Sequence, residues 1–181
     1  QVNGRGHPDM FAALDEVVDI GCKAAYFHGA LIDDAYRRQD VETIRGWCAH
    51  ANARGIPAGL AAHAPEAHLW AYGQGIGDFH AVCFFNCGSL HAGKGEKFRL
   101  ADVEPAAACT RQIMKPCIAY KIMGAGRIDA SMAFEYAFEH IKPGDVVNVG
   151  MHRGDNDAML EENVAIVESI LCGTGESQAR V

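Results

Sequence analysis

The sequence predicts an α/β protein made of repeated βα units on a parallel sheet: a (βα)8 TIM barrel, or a five-unit C-terminal portion of one. Three observations carry this. Short apolar runs rich in small and branched residues alternate strictly with amphipathic helical stretches, the order that right-handed crossovers turn into a parallel sheet. Each of the five runs ends on a polar residue: His28, His63, Asn86, Lys121 and His152. An open doubly wound sheet gathers its chemistry at one crevice where strand order reverses, so a polar end on every strand suits the top of a barrel better. Finally, 181 residues that are 49% hydrophobic and 22% charged suffice for one domain (1–181) with a substantial core. A complete five-stranded doubly wound sheet is the alternative.

The elements follow in order. Residues 8–22 carry apolar side chains at 10, 11, 14, 17, 18 and 20 between Pro8 and Gly21, which describes an amphipathic helix. Strand one is 24–28, followed by a loop or short helix to Asp40, which caps a helix over 41–54 ending at Gly55. Strand two is 57–63, and Pro65 and Glu66 open the next helix. Strand three is 78–86. A polar loop with His91, Lys94, Glu96, Lys97 and Arg99 follows, long enough to be a lid or binding loop. A helix over 101–113 leads to strand four, 115–121.

The fourth strand is the centre of the reading. Side chains alternate faces along it, so Ile118, Tyr120 and Ile122 fall on one side and Cys117, Ala119, Lys121 and Met123 on the other. With the branched side on the helices, Lys121 points into the mouth of a barrel, where a cation meets substrate. Gly124, Gly126 and Arg127 then form a turn that offers N–H groups and a guanidinium to an anion, before Asp129 caps a helix with Ala130, Ala133, Phe134, Ala137, Phe138 and Ile141 on its apolar face. Strand five is 145–151, and the last helix, 156–171, turns Met159, Leu160, Val164, Val167 and Leu171 inward. Residues 173–181 read as a frayed tail. The leading helix has no strand before it, so these units are expected to be the last five of eight.

A net charge of −7 argues against nucleic acid and anionic membranes as partners, and no run approaches the ~18 apolar residues of a membrane helix. Seven cysteines without CxxC spacing suggest reduced thiols in a cytoplasmic protein. The expected partner is a small-molecule substrate. A five-stranded wall leaves edges that call for self-association, hence a homo-oligomer.

For the chemistry, His63 is read as general acid or base with Glu66 as a second catalytic residue, the alternative being that Glu66 only caps its helix. Lys121 is read as Schiff-base nucleophile, general base or fixed cation. Asn86, Gly124, Gly126, Arg127 and His152 are candidate substrate or anion contacts. His28 and His63 sit at successive strand ends and together offer two imidazoles to a divalent metal, with Asp33, Asp34 or Glu66 as the carboxylate.

The stretch from Lys115 through the Gly124 turn to Val149, Gly150, Met151 and the Glu162–Asn163 pair resembles the end of aldolase-type TIM-barrel proteins, and in particular of aldo/keto reductases. That resemblance covers roughly the last 65 residues and implies barrel strands seven and eight, with an NADP phosphate near Arg153, Glu162 and Asn163. Tyr26 to Gly29, Ala62 to Glu66 and Asp78 to Asn86 resemble poorly characterised bacterial barrel proteins. The expected function is a lyase or isomerase acting next to a carbonyl, on a sugar-like substrate. The alternatives are an NADP-dependent oxidoreductase of aldo/keto-reductase type, or a non-catalytic barrel remnant that binds a partner.

Overall fold

The computed structural model describes residues 1–3, 9–85, 98–152, 154 and 156–178, with side chains through 173. Its elements are α1 (Met10–Asp19), β1 (Ala25–Phe27), α2 (Gly29–Arg38), α3 (Val41–Ala53), β2 (Ala58–Ala62), α4 (Pro65–Gly73), β3 (Phe79–Cys83), α5 (Val103–Gln112, led in by a 3-10 turn, Leu100–Asp102), β4 (Cys117–Tyr120), α6 (Ala130–His140), β5 (Val146–Asn148) and α7 (Met159–Gln178). The five strands are all parallel, in the order β1-β2-β3-β4-β5. Each strand pairs with its neighbour in sequence and the order never reverses, which excludes the doubly wound alternative. Right-handed crossovers between such neighbours place every helix on one face of the sheet, as in a barrel wall.

Register and burial identify the two faces. Phe27, Leu60, His80 and Cys117 lie side by side across the sheet and are all buried under the helices. One residue further along, Ala61, Ala81, Ile118 and Val146 share the opposite, concave face. The expectation for strand four is therefore inverted. Cys117 and Ala119 pack on the helices, whereas Ile118 and Tyr120 look into the concave side and are only half-buried. On β4 it is the smaller side chains that meet the helices, next to the larger Phe27, Leu60 and His80 of the neighbouring strands. At Gly59 a Cβ would overlap the Phe79 ring that covers it from the next strand.

Two apolar clusters make the core. One joins β1 and β2 to α1–α4 through Phe27, Leu60, Ile32, Ile44 and Ala67; the other joins β3–β5 to α5–α7 through Val82, Phe84, Ala107, Ala119 and Phe134. At the N-terminal sheet end two carboxylates repeat one device. Asp78, just before β3, accepts the Ala58 N–H that opens β2 at 2.7 Å, and Asp145, just before β5, accepts the Cys117 N–H that opens β4 at 2.8 Å. Asp145 also takes the Lys142 ammonium at 2.7 Å. The outer edge of β1 is covered by Val2, which bonds Tyr26 and His28 through its backbone.

Several boundaries differ from expectation. Residues 29–38 form a full helix, because His28 caps its start and Gln39 closes it in the left-handed conformation. The last helix runs through Gln178, so most of the expected tail, residues 173–178, is helical. It also presents another face: Asn163, Ile166, Val167 and Ile170 pack inward, while Leu160, Val164 and Leu171 are exposed. The helix is apolar on more than one side, and the stripe that meets α6 wins.

Candidate active site

The C-terminal ends of β1 and β2 bring together His28, Asp33 and His63. Alternation along the strands carries both histidines to the concave side, two residues beyond Tyr26 and Ala61. Their rings meet edge to face with centroids 6.4 Å apart. Asp33, one turn into α2, holds His63 twice: its Oδ1 accepts the His63 backbone N–H at 3.0 Å and its Oδ2 lies 2.7 Å from Nδ1. Both side chains are mostly buried, 18% and 23% exposed. A carboxylate can only accept, so the imidazole donates Nδ1–H to it, and the Nε2 lone pair is left as the basic atom. This is the base-plus-orienting-carboxylate arrangement of general acid–base catalysis.

His28 is fixed in the opposite sense. Its Nδ1 accepts the Ala30 N–H at 3.1 Å as the cap of α2, so the neutral ring carries its proton on Nε2. The site thus pairs one imidazole with a basic Nε2 and one with an N–H there. Gly29 makes the approach possible, because a Cβ at that position would come within 2.9 Å of the His63 ring.

Tyr120, at the end of β4, extends the site across the sheet. Its hydroxyl lies 3.5 Å from the Ala62 carbonyl, next to His63. Lys121 follows in the left-handed region, φ 59°, and lays its ammonium 5.5 Å from the centre of the Tyr120 ring. A lysine with positive φ is uncommon, and such strain concentrates at working sites.

Other expected site residues are placed differently. Glu66 is exposed in the first turn of α4, with its charge felt by Cys109 of α5; the carboxylate on His63 is that of Asp33. The Gly124–Gly126 turn is left-handed throughout and closes on itself. The Met123 carbonyl accepts the N–H groups of both Arg127 and Ile128, the Arg127 guanidinium donates to the Gly124 carbonyl at 3.0 Å and stacks on Phe98, and Asp129 supplies the anion at the start of α6. Of the donors expected on an anion, the Gly124 N–H bonds the Lys121 carbonyl and one arm of the Arg127 guanidinium bonds the Gly124 carbonyl, both within the turn. His152 is exposed, four residues past β5, and Asn86, Arg153 and the loop bearing His91 and Lys94 lie outside the described residues.

The expected metal does not suit this donor set. His63 keeps its Nε2 lone pair, but the cap fixes His28 with its proton on Nε2, and among the described residues no group of three His, Cys, Asp or Glu is arranged around a common point. The NADP phosphate position is also poorly served by the described residues. The first turn of α7 carries Glu161 and Glu162, and Glu162 accepts a hydrogen bond from Asn156 at 2.7 Å. Carboxylates there complete the helix dipole and repel a phosphate.

No described helix is long and apolar enough to cross a membrane. No protein-family model matches the chain, and no curated protein does. Among solved structures, the chain is similar to one from Pseudomonas aeruginosa assigned as an aldo-keto reductase, with a TM-score of 0.56 and 18% sequence identity over 90% of this chain. The chain spans 59% of the length of that protein. At this identity the likeness shows a shared fold, a parallel α/β wall of TIM-barrel type.

Proposed function

We propose that the chain carries the acid–base centre of an enzyme acting on a small carbonyl compound, with His63 as the proton-transferring group. The observation that supports this is the 2.7 Å contact between His63 Nδ1 and Asp33 at the C-terminal strand ends, where barrel enzymes keep their chemistry. In a lyase or isomerase, His63 Nε2 removes the proton next to a carbonyl, and the ammonium of Lys121 steadies the oxyanion that develops. His28 and the Tyr120 hydroxyl orient the substrate's oxygens. The test is solvent hydrogen exchange, followed by NMR in deuterated buffer over a panel of small aldoses and ketoses. Incorporation next to the carbonyl that His63→Ala abolishes supports the reading, and the absence of exchange across the panel overturns it.

A second reading is favoured by the structural likeness: an oxidoreductase of aldo/keto-reductase type, in which NADPH supplies hydride to the carbonyl carbon. The acidic first turn of α7 speaks against its phosphate site among the described residues. Titration of NADPH fluorescence decides between the two. Saturable binding together with carbonyl-dependent oxidation supports the reductase.

A further inference from the structure

His68 of α4 and His80 of β3 are 1% and 0% exposed, and their Nδ1 atoms meet at 3.1 Å beneath the helix layer. Neither Nε2 has a hydrogen-bond partner, although both are fully buried. Two neutral imidazoles satisfy this geometry in one way only. One ring donates Nδ1–H and keeps a bare Nε2, and the other accepts at Nδ1 and keeps Nε2–H. We propose that this pair is a two-proton latch, which holds α4 on β3 at neutral pH and releases it in acid.

The chemistry of successive protonation gives the latch its steepness. A first proton lands on the bare Nε2 and keeps the Nδ1–H···Nδ1 bond, though it buries a charge. The second has only the accepting Nδ1 left, where it breaks that bond and sets two N–H groups and two positive charges face to face. The charged groups around the pair set the order. The Ala62 backbone, Asp33 of α2 and the Ala81 backbone favour charge on His68, His63 opposes it when protonated, and a charged His68, Lys115 and Lys142 all oppose charge on His80. Tyr72 contributes only a ring, 6.3 Å from His80, and the Cys109 and Cys117 thiols of the neighbouring α5 and β4 stay protonated. Burial pulls His68 down to about 4 and His80 to about 3. An opened α4 exposes both rings to water, where they protonate near 6.5. Folded-state values below unfolded ones mean stability that is present at neutral pH and lost as pH falls from about 6.5 towards 4.

Trp70 on α4, packed against Tyr36 of α2, reports the opening once Trp47→Phe has removed the other tryptophan. In urea titrations followed by Trp70 fluorescence, the latch adds up to two protons to the pH dependence, so its share of the opening constant rises roughly 60-fold per pH unit between about 6 and 4.5. Replacing both rings, His68→Leu with His80→Phe, removes that increment. An unchanged slope in the double variant overturns the proposal. Nitrogen-15 imidazole spectra of the unmodified chain give an independent decision: one ring as the Nδ1–H tautomer and the other as Nε2–H, both neutral at pH 5, support the latch. Protonation of either ring at pH 5, or two identical tautomers, refutes it.

Discussion

Gly29 and His63 are fitted to one another: a Cβ on residue 29 would stand 2.9 Å from His63 Cε1 and 3.0 Å from Nδ1. The ring reaches Asp33 only because α2 begins with a bare backbone. Gly29→Ala is expected to tilt the imidazole away from the carboxylate and to lower kcat about 10- to 100-fold, given how steeply catalysis depends on positioning. Histidine NMR of the variant should show loss of the fixed Nδ1–H tautomer, with little change in the urea midpoint.

Asp33→Asn tests the orienting role directly. The amide's NH2 can donate to Nδ1, which turns the ring to the Nε2–H tautomer and removes the base while the shape is retained. A fall in kcat of roughly 10²- to 10⁴-fold is expected. The His63 tautomer should be seen to switch in the same protein by nitrogen-15 spectroscopy.

The thiols give the alkaline side of the stability curve. Burial pushes Cys48 and Cys117 up to about 11 and Cys109 to about 12. Folded values above the ordinary 9 mean that these groups favour the fold fully below pH 9. That contribution is lost as pH rises through 9 towards 11 or 12, by about 1 kcal/mol per thiol per unit. Urea midpoints at pH 8 and pH 10 check this. Alkylation at pH 8 should mark exposed Cys22 and Cys172 ahead of the buried Cys48, Cys83, Cys109 and Cys117.

The Asp145 side chain is 1% exposed and answers three donors: the Lys142 ammonium at 2.7 Å, the Lys142 N–H at 2.9 Å and the Cys117 N–H at 2.8 Å. Asp145→Ala leaves a largely buried ammonium and a strand-opening N–H without their acceptor. A loss of about 3 kcal/mol is expected, read from chemical denaturation. The C-terminal end of the sheet, where the proposed site lies, is remote from this change, so any exchange activity at temperatures where the variant is folded should persist.

The fold was legible because its signal repeats. Short apolar runs alternate with helices whose caps, such as Asp40, Asp129 and Pro65, can be read residue by residue. The faces of β4 were not, since Cys117, Ala119, Ile118 and Tyr120 are all apolar enough for either side, and only the packing of the whole sheet decides. Within the site, His28 and His63 stood out as strand-end imidazoles, but Asp33 was one of three equivalent carboxylates. Its choice depended on residues 29–38 being helical, which a stretch with Asp33, Asp34, Arg37 and Arg38 does not announce. The His68–His80 pair gave no sign at all, because a histidine facing a helix and a histidine facing a sheet look polar until tertiary structure buries both.

Because every strand pairs with the one made just before it, the sheet can grow during synthesis in a single direction. Each emerging βα unit finds its docking edge already in place, and among the described strands no early one waits for a distant late one. Loop closure stays short at every step. Such a wall should fold progressively from the β1 side, with β5 the last strand to gain protection from hydrogen exchange.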